Sequence, residues 1–226
     1  LSAGEKLSES LRKLWLEKTS TKIYEAFGMS ECSTFVSSSP KSEARVSTIG
    51  RPQNGRRVAI LPLSGSDEPV NFGETGIIAV DLNDPGLMLG YVGSGSSTDN
   101  NFSRKWFITG DLGQMASDGS ITYMGRNDDV ITAGGYRVSP IEIEEHLQSH
   151  PKINLVAVKD IEIKADTRII TAFYTSDSVL DISMLKTFAA EKLAHYKQPR
   201  LFVHCDSLPI GPNGKLLRKS LTLPKN

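Results

Sequence analysis

Apolar residues recur with two periods along this chain, and the switches between them mark out its elements. Residues 6–20, "KLSESLRKLWLEKTS", place Leu7, Leu11, Leu14 and Trp15 at helical spacing and predict an amphipathic helix. "TKIYEAF" (21–27) predicts a short strand leading into "GMSECS". "RRVAIL" (56–61) and "GIIAVDL" (76–82) are strand-like, with a turn-rich segment between them. The Gly- and Ser-rich residues 92–103 read as a surface loop. Residues 105–115 and 120–126 alternate around Asp118-Gly119, a strong hairpin signal.

After Arg126 the character changes. "VSPIEIEEHLQSH" (138–150) carries a helix start with a mechanism: Ser139 caps, Pro140 fits the first helical position, and Glu142 returns the capping bond. Residues 153–161, 167–175 and 200–208 predict strands. Residues 181–196 predict a helix with Leu185, Phe188, Ala189 and Leu193 on one face. From about residue 130 the order is strand pair, helix, strand, strand, helix, strand, which suggests a small α+β domain.

Charge narrows the function classes. Lys plus Arg and Asp plus Glu both number 26 in 226 residues, so nothing in the balance favours a nucleic-acid or anionic-membrane partner. Lys215, Arg218 and Lys219 are the exception, a local basic patch near the end. No apolar run reaches the roughly 18 residues of a spanning helix. The first twenty residues lack the pattern of a signal peptide, and with no initiating Met the chain is expected to begin inside a larger protein. Cys32 and Cys205 are far apart and outside any CxxC pair, which disfavours a disulfide or zinc scaffold and points to a reducing, cytoplasmic compartment. His146 and His150 have metal-compatible i, i+4 spacing, but are expected on a solvated helix face.

Four short stretches carry candidate chemistry, each with a bland counterpart. In "YEAFGMSE" (24–31) an aromatic precedes a bend where backbone can approach a ligand, and Ser30 and Glu31 offer oxygens to a phosphate-bound Mg²⁺; the bland reading is a strand-to-turn junction. In "TGDL" Asp111 is suited to a ribose diol, or else to capping its own turn. In "GRNDD" Arg126 falls across the predicted hairpin from Asp111, so both can face one ligand, while Asp128 and Asp129 adjoin the change of character as metal ligands, base, hinge or solvated turn. In "PNGKLLR" a loop presents Lys215 before a helix begins, either toward phosphate oxygens or simply to solvent.

The order and spacing of these pieces are more specific than any one of them. With "SAGEKL" (2–7), "GETGIIAV" and "GLMLGY" (within 73–91), "WFITGDL" (106–112), "GRNDDVITAGGYRVSPIEIE" (125–144), "HYKQP" (195–199) and "LPIGPNGKLLR" (208–218), the chain resembles the adenylate-forming superfamily of acyl-CoA synthetases, peptide-synthetase adenylation domains and luciferases. It looks most like an acyl-CoA synthetase.

That resemblance implies mixed α/β and α+β architecture. Residues 1–127 would be the β-rich C-terminal part of the large AMP-binding domain, and 128–226 a small mobile α+β lid with its hinge at Asp128. It implies a two-step ligase using ATP, Mg²⁺, a small carboxylic acid and CoA; the alternatives are loading of a carrier protein, or a non-catalytic nucleotide-binding module. By the same resemblance Gly4 and Glu5 lie along the base, Phe27 stacks on adenine beside Gly28, and Ser30 contacts phosphate. Glu31 ligates Mg²⁺, Asp111 binds ribose, Tyr123 packs near it, and Arg126 contacts the nucleotide. Gly134 and Gly135 line the pantetheine passage, Arg137 meets nucleotide or CoA phosphates, and Lys215 assists adenylation. The family's Ser/Thr/Gly-rich phosphate loop has no counterpart here, so this stretch alone is expected to be inactive.

Overall fold

The computed structural model describes all residues except 5, 6, 8, 44, 46, 93–100, 165, 166, 213, 225 and 226. Glu5 and most of the loop expected over 92–103 therefore lie outside the described residues. The chain divides into two compact units, Leu1–Asp128 and Asp129–Asn226.

The first unit holds two four-stranded sheets. One is built from β1 (Ser2–Ala3), β2 (Glu25–Met29), β3 (Ser33–Ser37) and β4 (Arg51–Pro52), with α1 (Glu9–Thr19) between β1 and β2. Its strands pair in chain order, β1 parallel to β2 and the others antiparallel. The other is an antiparallel meander of β5 (Val58–Leu61), β6 (Thr75–Asp81), β7 (Trp106–Met115) and β8 (Ile121–Arg126). Phe35 and Val36 from β3, Ile60 from β5, Ile78 and Val80 from β6 and Ile121 from β8 form one buried cluster shared by both sheets. Cys32 lies in it, and burial pushes its thiol pKa up to about 12 against the pull of Arg56, so it serves as a small apolar side chain.

Two departures from the sequence pattern have clear causes. β2 runs on through Gly28 and Met29 instead of ending at Phe27, because β3 folds back on it; a Cβ on Gly28 would overlap the backbone of Ser33 and Thr34. α1 forms where its spacing predicts, but Leu11 and Trp15 are 51% and 45% exposed. The helix is fastened through a polar residue instead: Arg12 donates to the Ile23 carbonyl at 2.8 Å and pairs with the buried Glu25.

The second unit begins with a hairpin, β9 (Ile131–Ala133) and β10 (Tyr136–Val138), followed by α2 (Pro140–Gln148). Next come β11 (Leu155–Lys164), β12 (Thr167–Thr175), α3 (Ile182–Ala190) and β13 (Leu201–His204). The sheet order is β11-β12-β13, antiparallel then parallel. Ile143 and Leu147 of α2 and Leu185 and Ala189 of α3 pack on Val158, Ala172 and Tyr174 to make the core.

Three details of this unit correct the sequence reading. Ser139 occupies the N-cap of α2 without a side-chain cap bond, and the Glu142 carboxylate is held by Lys197 Nζ at 2.6 and 2.8 Å. The working cap is on α3, where Asp181 accepts from the Ser183 amide at 2.7 Å. His146 and His150 are not on a solvated face; both are buried against Phe188, His146 stacked at 4.7 Å and His150 edge-on at 4.9 Å. α3 ends six residues before Tyr196, and a separate 3-10 turn spans His195–Lys197, yet Leu193 still reaches the core.

Tight strand packing at Gly76 generates a stability prediction. A Cβ there would overlap the Leu61 carbonyl oxygen and stand 2.9 Å from Ile60 Cγ2. Gly76→Ala is expected to cost about 1–3 kcal/mol. Gly65→Ala, where only a positive φ of 85° opposes the substitution, is expected to cost about 1 kcal/mol. Denaturant unfolding of the two variants checks the order; equal losses would contradict the packing account.

Candidate functional site

The β7–β8 register builds the centre of the site. It sets Asp111 directly opposite Arg126, with a bulge between Leu112 and Gly113 that leaves Tyr123 opposite Gly113. The Asp118-Gly119 turn closes this hairpin: Gly119 adopts φ +78°, and Asp118 accepts from the Ser120 amide at 3.0 Å. Asp118 also receives Arg51 at 3.0 Å and Arg45 at 3.1 Å, which fastens the turn to the segment around β4.

Asp111 is 6% exposed. Its Oδ1 accepts from the Tyr123 hydroxyl at 3.2 Å and faces Arg126 Nη1 at 3.5 Å. Burial pushes its carboxyl above the ordinary range, against the opposing pull of Arg126 and Tyr123. Arg126 also donates to the Thr109 carbonyl at 3.0 Å and to Asp128 at 3.4 Å. Burial alone would lower its pKa, but the Asp111 and Asp128 carboxylates hold it above normal.

Two residues missed in the sequence hold this arrangement in place. Thr109 Oγ1 donates to the Ile78 carbonyl at 2.7 Å and accepts from the Asp111 amide at 3.1 Å. Gly110 has φ +75°, and a Cβ there would stand 2.9 Å from Arg126 Nη2, so bare backbone is what lets the guanidinium lie across the strand. The Gly before Asp111 was the available signal.

Phe27 adds an aromatic wall. Its ring is tilted against Tyr123 at 5.3 Å and edge-on to Phe35 at 5.4 Å. Phe27, Asp111, Tyr123, Arg126 and Asp128 are thus linked in one constellation: a half-buried ring, a buried carboxylate, a phenol, a cation and a second, exposed carboxylate. A carboxylate only accepts hydrogen bonds and has about four lone-pair directions, so this one suits a diol donor.

Ser30 is exposed at the β2–β3 turn, and the Glu31 carboxylate accepts from Tyr91 at 2.8 Å, a partner the sequence did not suggest. Among the described residues no cluster of three or more His, Cys, Asp or Glu could hold a metal. Glu31 therefore fits Mg²⁺ only as one oxygen ligand beside phosphate and water oxygens, which is the usual arrangement for that ion. Gly4 is exposed with φ +94°.

In the second unit Gly134 (φ +58°) and Gly135 (φ +83°) form the two-residue loop of the β9–β10 hairpin, both exposed. Two successive positive φ values are what such a loop requires, so the turn itself explains both glycines. Arg137 is exposed on β10. Lys215 is exposed, and it is followed not by a regular helix but by a bridge at Leu216 and a 3-10 turn over Arg218–Ser220. Arg218 does not belong to a surface basic patch, since it is ion-paired with Glu144 and Asp129. Among the described residues no helix is long and apolar enough to cross a membrane.

Residues 1–92 match the family described as AMP-binding enzyme, and residues 142–215 match the AMP-binding enzyme C-terminal domain. The chain is 30% identical over 201 residues to a 2-succinylbenzoate–CoA ligase of Bacillus licheniformis, covering 88% of this chain and 41% of that protein. It is 32% identical over 231 residues to a mitochondrial acyl-coenzyme A synthetase, ACSM3, of Rattus norvegicus, covering 98% of this chain and 40% of that protein. The solved O-succinylbenzoate coenzyme A synthetase of Bacillus subtilis, in complex with ATP and magnesium ion, superposes with a TM-score of 0.83 at 28% identity, over 97% of this chain and 45% of that one. The chain thus spans less than half the length of these relatives.

The electrostatics of Asp111 predict a pH-dependent variant. Because its folded-state pKa is raised, the stability it contributes is full below the unfolded-state value and is lost as pH rises through the folded-state value. Replacing Arg126 raises the folded-state value further and deepens that loss. Arg126→Met is expected to melt close to wild type near pH 4 and to lose about 1–2 kcal/mol at pH 7, solvent at the half-exposed guanidinium moderating the effect. Calorimetric melts at both pH values test this; a deficit independent of pH would contradict it.

Proposed function

We propose that this chain, which belongs to the family of AMP-binding enzymes, supplies the nucleotide-binding and lid parts of an ATP-dependent carboxylic acid:CoA ligase. The observation that carries the reading is the buried Asp111 carboxylate held opposite Arg126 and capped by Tyr123 beside the Phe27 ring. An acceptor-only carboxylate at the end of an aromatic wall suits a nucleoside, with its ribose hydroxyls on Asp111 and its base against Phe27. The relatives whose names describe acid–CoA ligases support the same reaction class.

In this reading the substrate carboxylate attacks the α-phosphorus of ATP and pyrophosphate leaves, giving the acyl-adenylate. A thiolate of CoA then attacks the acyl carbon and AMP leaves. Asp111, Arg126 and Tyr123 orient the nucleotide, and orientation together with electrostatics supplies most of the rate. Ser30 contacts phosphate, and Glu31 holds Mg²⁺, which when bound offsets phosphate charge. Lys215 neutralises charge as it develops at the α-phosphate. The second unit turns about Asp128 between the two steps, Gly134 and Gly135 then line the thiol's path, and Arg137 meets phosphate. Gly4, together with Phe27 and Gly28, contacts the base, and Glu5, outside the described residues, is assigned to the same segment. The reading includes a cytoplasmic location, where a reducing environment keeps both thiols free.

Half-reaction assays on the full-length protein test the division of labour. Lys215→Ala is expected to lower ATP–pyrophosphate exchange by about 10²–10³-fold while sparing thioester formation from supplied acyl-adenylate. Equal loss in both steps would count against the reading. Product with free CoA, rather than only with a holo-carrier protein, separates this ligase from a carrier-loading enzyme.

The glycine turn offers a second test. Gly135→Ala pays most of the positive-φ cost, about 1 kcal/mol, but adds little bulk. Gly135→Leu adds bulk. If the turn lines the thiol's path, Leu abolishes CoA-dependent product with exchange near normal, while Ala is mild. Equal damage from both would assign the glycines to hairpin geometry alone.

A further inference from the structure

All three guanidinium nitrogens of Arg218 are engaged inside the second unit. Nη2 bridges both Glu144 oxygens at 2.6 and 2.8 Å, Nη1 reaches Asp129 Oδ2 at 3.1 Å, and Nε donates to the Val158 carbonyl at 3.1 Å. Glu144 Oε1 also accepts from the Val158 amide at 2.7 Å. β11 is an edge strand of its sheet. The two backbone groups of Val158 are thus taken by side chains where a neighbouring strand would otherwise pair. The Arg218 side chain is 16% exposed and that of Glu144 is 14% exposed, so this is a mostly buried strut.

The strut joins two places that matter to the proposed reaction. Asp129 is the first residue of the second unit and adjoins Asp128. At its other end, Arg218 stands three residues after Lys215 on an arm with little freedom. The Gly211 amide donates to the Lys215 carbonyl at 2.7 Å, and the Leu217 amide to the Pro209 carbonyl at 2.8 Å. Lys159 Nζ grips the carbonyls of Lys219 and Leu221 at 3.0 and 3.1 Å, and Leu208 and Leu221 are buried on either side of the arm.

We propose that Arg218 is a positioning residue for Lys215, tying the arm that carries the lysine to Asp129 beside the hinge so that the two move as one body. This rests on the reading above that Lys215 assists adenylation. A lysine cannot replace the arginine, because an ammonium is a point donor and cannot bridge Glu144, Asp129 and Val158 together. An arm released by about 1 Å loses much of its rate advantage, since catalytic effects of this kind depend steeply on placement.

The test uses the full-length protein, three single variants (Arg218→Lys, Glu144→Gln and Lys215→Ala) and one double variant. The first two are expected to lower kcat for ATP–pyrophosphate exchange about tenfold or more, with KM for ATP and thioester formation from supplied acyl-adenylate changed less than about twofold. Arg218→Lys combined with Lys215→Ala is expected to be no slower in exchange than Lys215→Ala alone, because positioning has no value once its object is gone. Losses that multiply in the double variant, or that fall equally on both half-reactions in step with melting temperature, would overturn the role and leave Arg218 a stabiliser of the sheet edge. Glu144→Gln decides the matter if Arg218→Lys does not fold. If Lys215→Ala exchanges normally, the reading of Lys215 fails and this proposal with it; if Lys215→Ala is crippled and the double variant multiplies the loss, only the positioning role fails.

Discussion

A carboxylate enclosed by a β-sheet has to be compensated, and in the first unit the compensation comes from directly across the ladder. Asp111 and Arg126 are register partners, so a single two-strand pairing sets both the position of the acid and the position of its counter-charge. Leaving such a carboxylate without its partner is destabilising, by about 1–2 kcal/mol here because the guanidinium is partly exposed to solvent. Gly110 and Thr109 belong to the same solution: one removes the side chain that would obstruct Arg126, the other fixes the backbone on which Asp111 sits. The proposed nucleotide reading draws on this constraint, which holds the Asp111 carboxylate against Tyr123 and, through Tyr123, beside the Phe27 ring.

The second unit is organised by a comparable ionic solution. Arg218 with Glu144 and Asp129 closes the outer edge of β11, while the apolar faces of α2 and α3 cover the sheet. In the first unit the polar side chains gather around one ion pair, with Thr109 and Tyr123 bonded to Asp111 and Asp128 to Arg126. In the second the ion pairs tie α2, β11 and the start of the unit together, which suits the proposed role of a body that carries Lys215 and the Gly134-Gly135 turn.

Much of this was legible from local pattern. Asp118-Gly119 announced the hairpin and therefore the pairing of Asp111 with Arg126, and β12 begins and ends where the strand-like run "TRIITAFYT" does. The misses have long-range causes. Glu142 looked like a capping partner but is held by Lys197, distant in sequence. His146 and His150 had surface spacing, yet Phe188 of α3 covers both. Gly28 looked like a strand end because the close crossing of β3, which needs it bare, is invisible in the sequence. β3 itself is short and flanked by serines, so its Phe35-Val36 pair gave little periodicity. The Tyr91 contact to Glu31 and the Arg218 strut join residues far apart in the chain, and spacing carries no trace of either.

The central claim is that Asp111 receives the ribose of an adenine nucleotide. Titration calorimetry of AMP and of 2′,3′-dideoxy-AMP into the full-length protein tests it most directly, with Asp111→Asn alongside. The account predicts one AMP per chain, binding at least about tenfold tighter than the dideoxy compound, and loss of that preference in Asp111→Asn. Equal affinity for the two nucleotides in the wild-type protein, or a preference that survives the substitution, would contradict it.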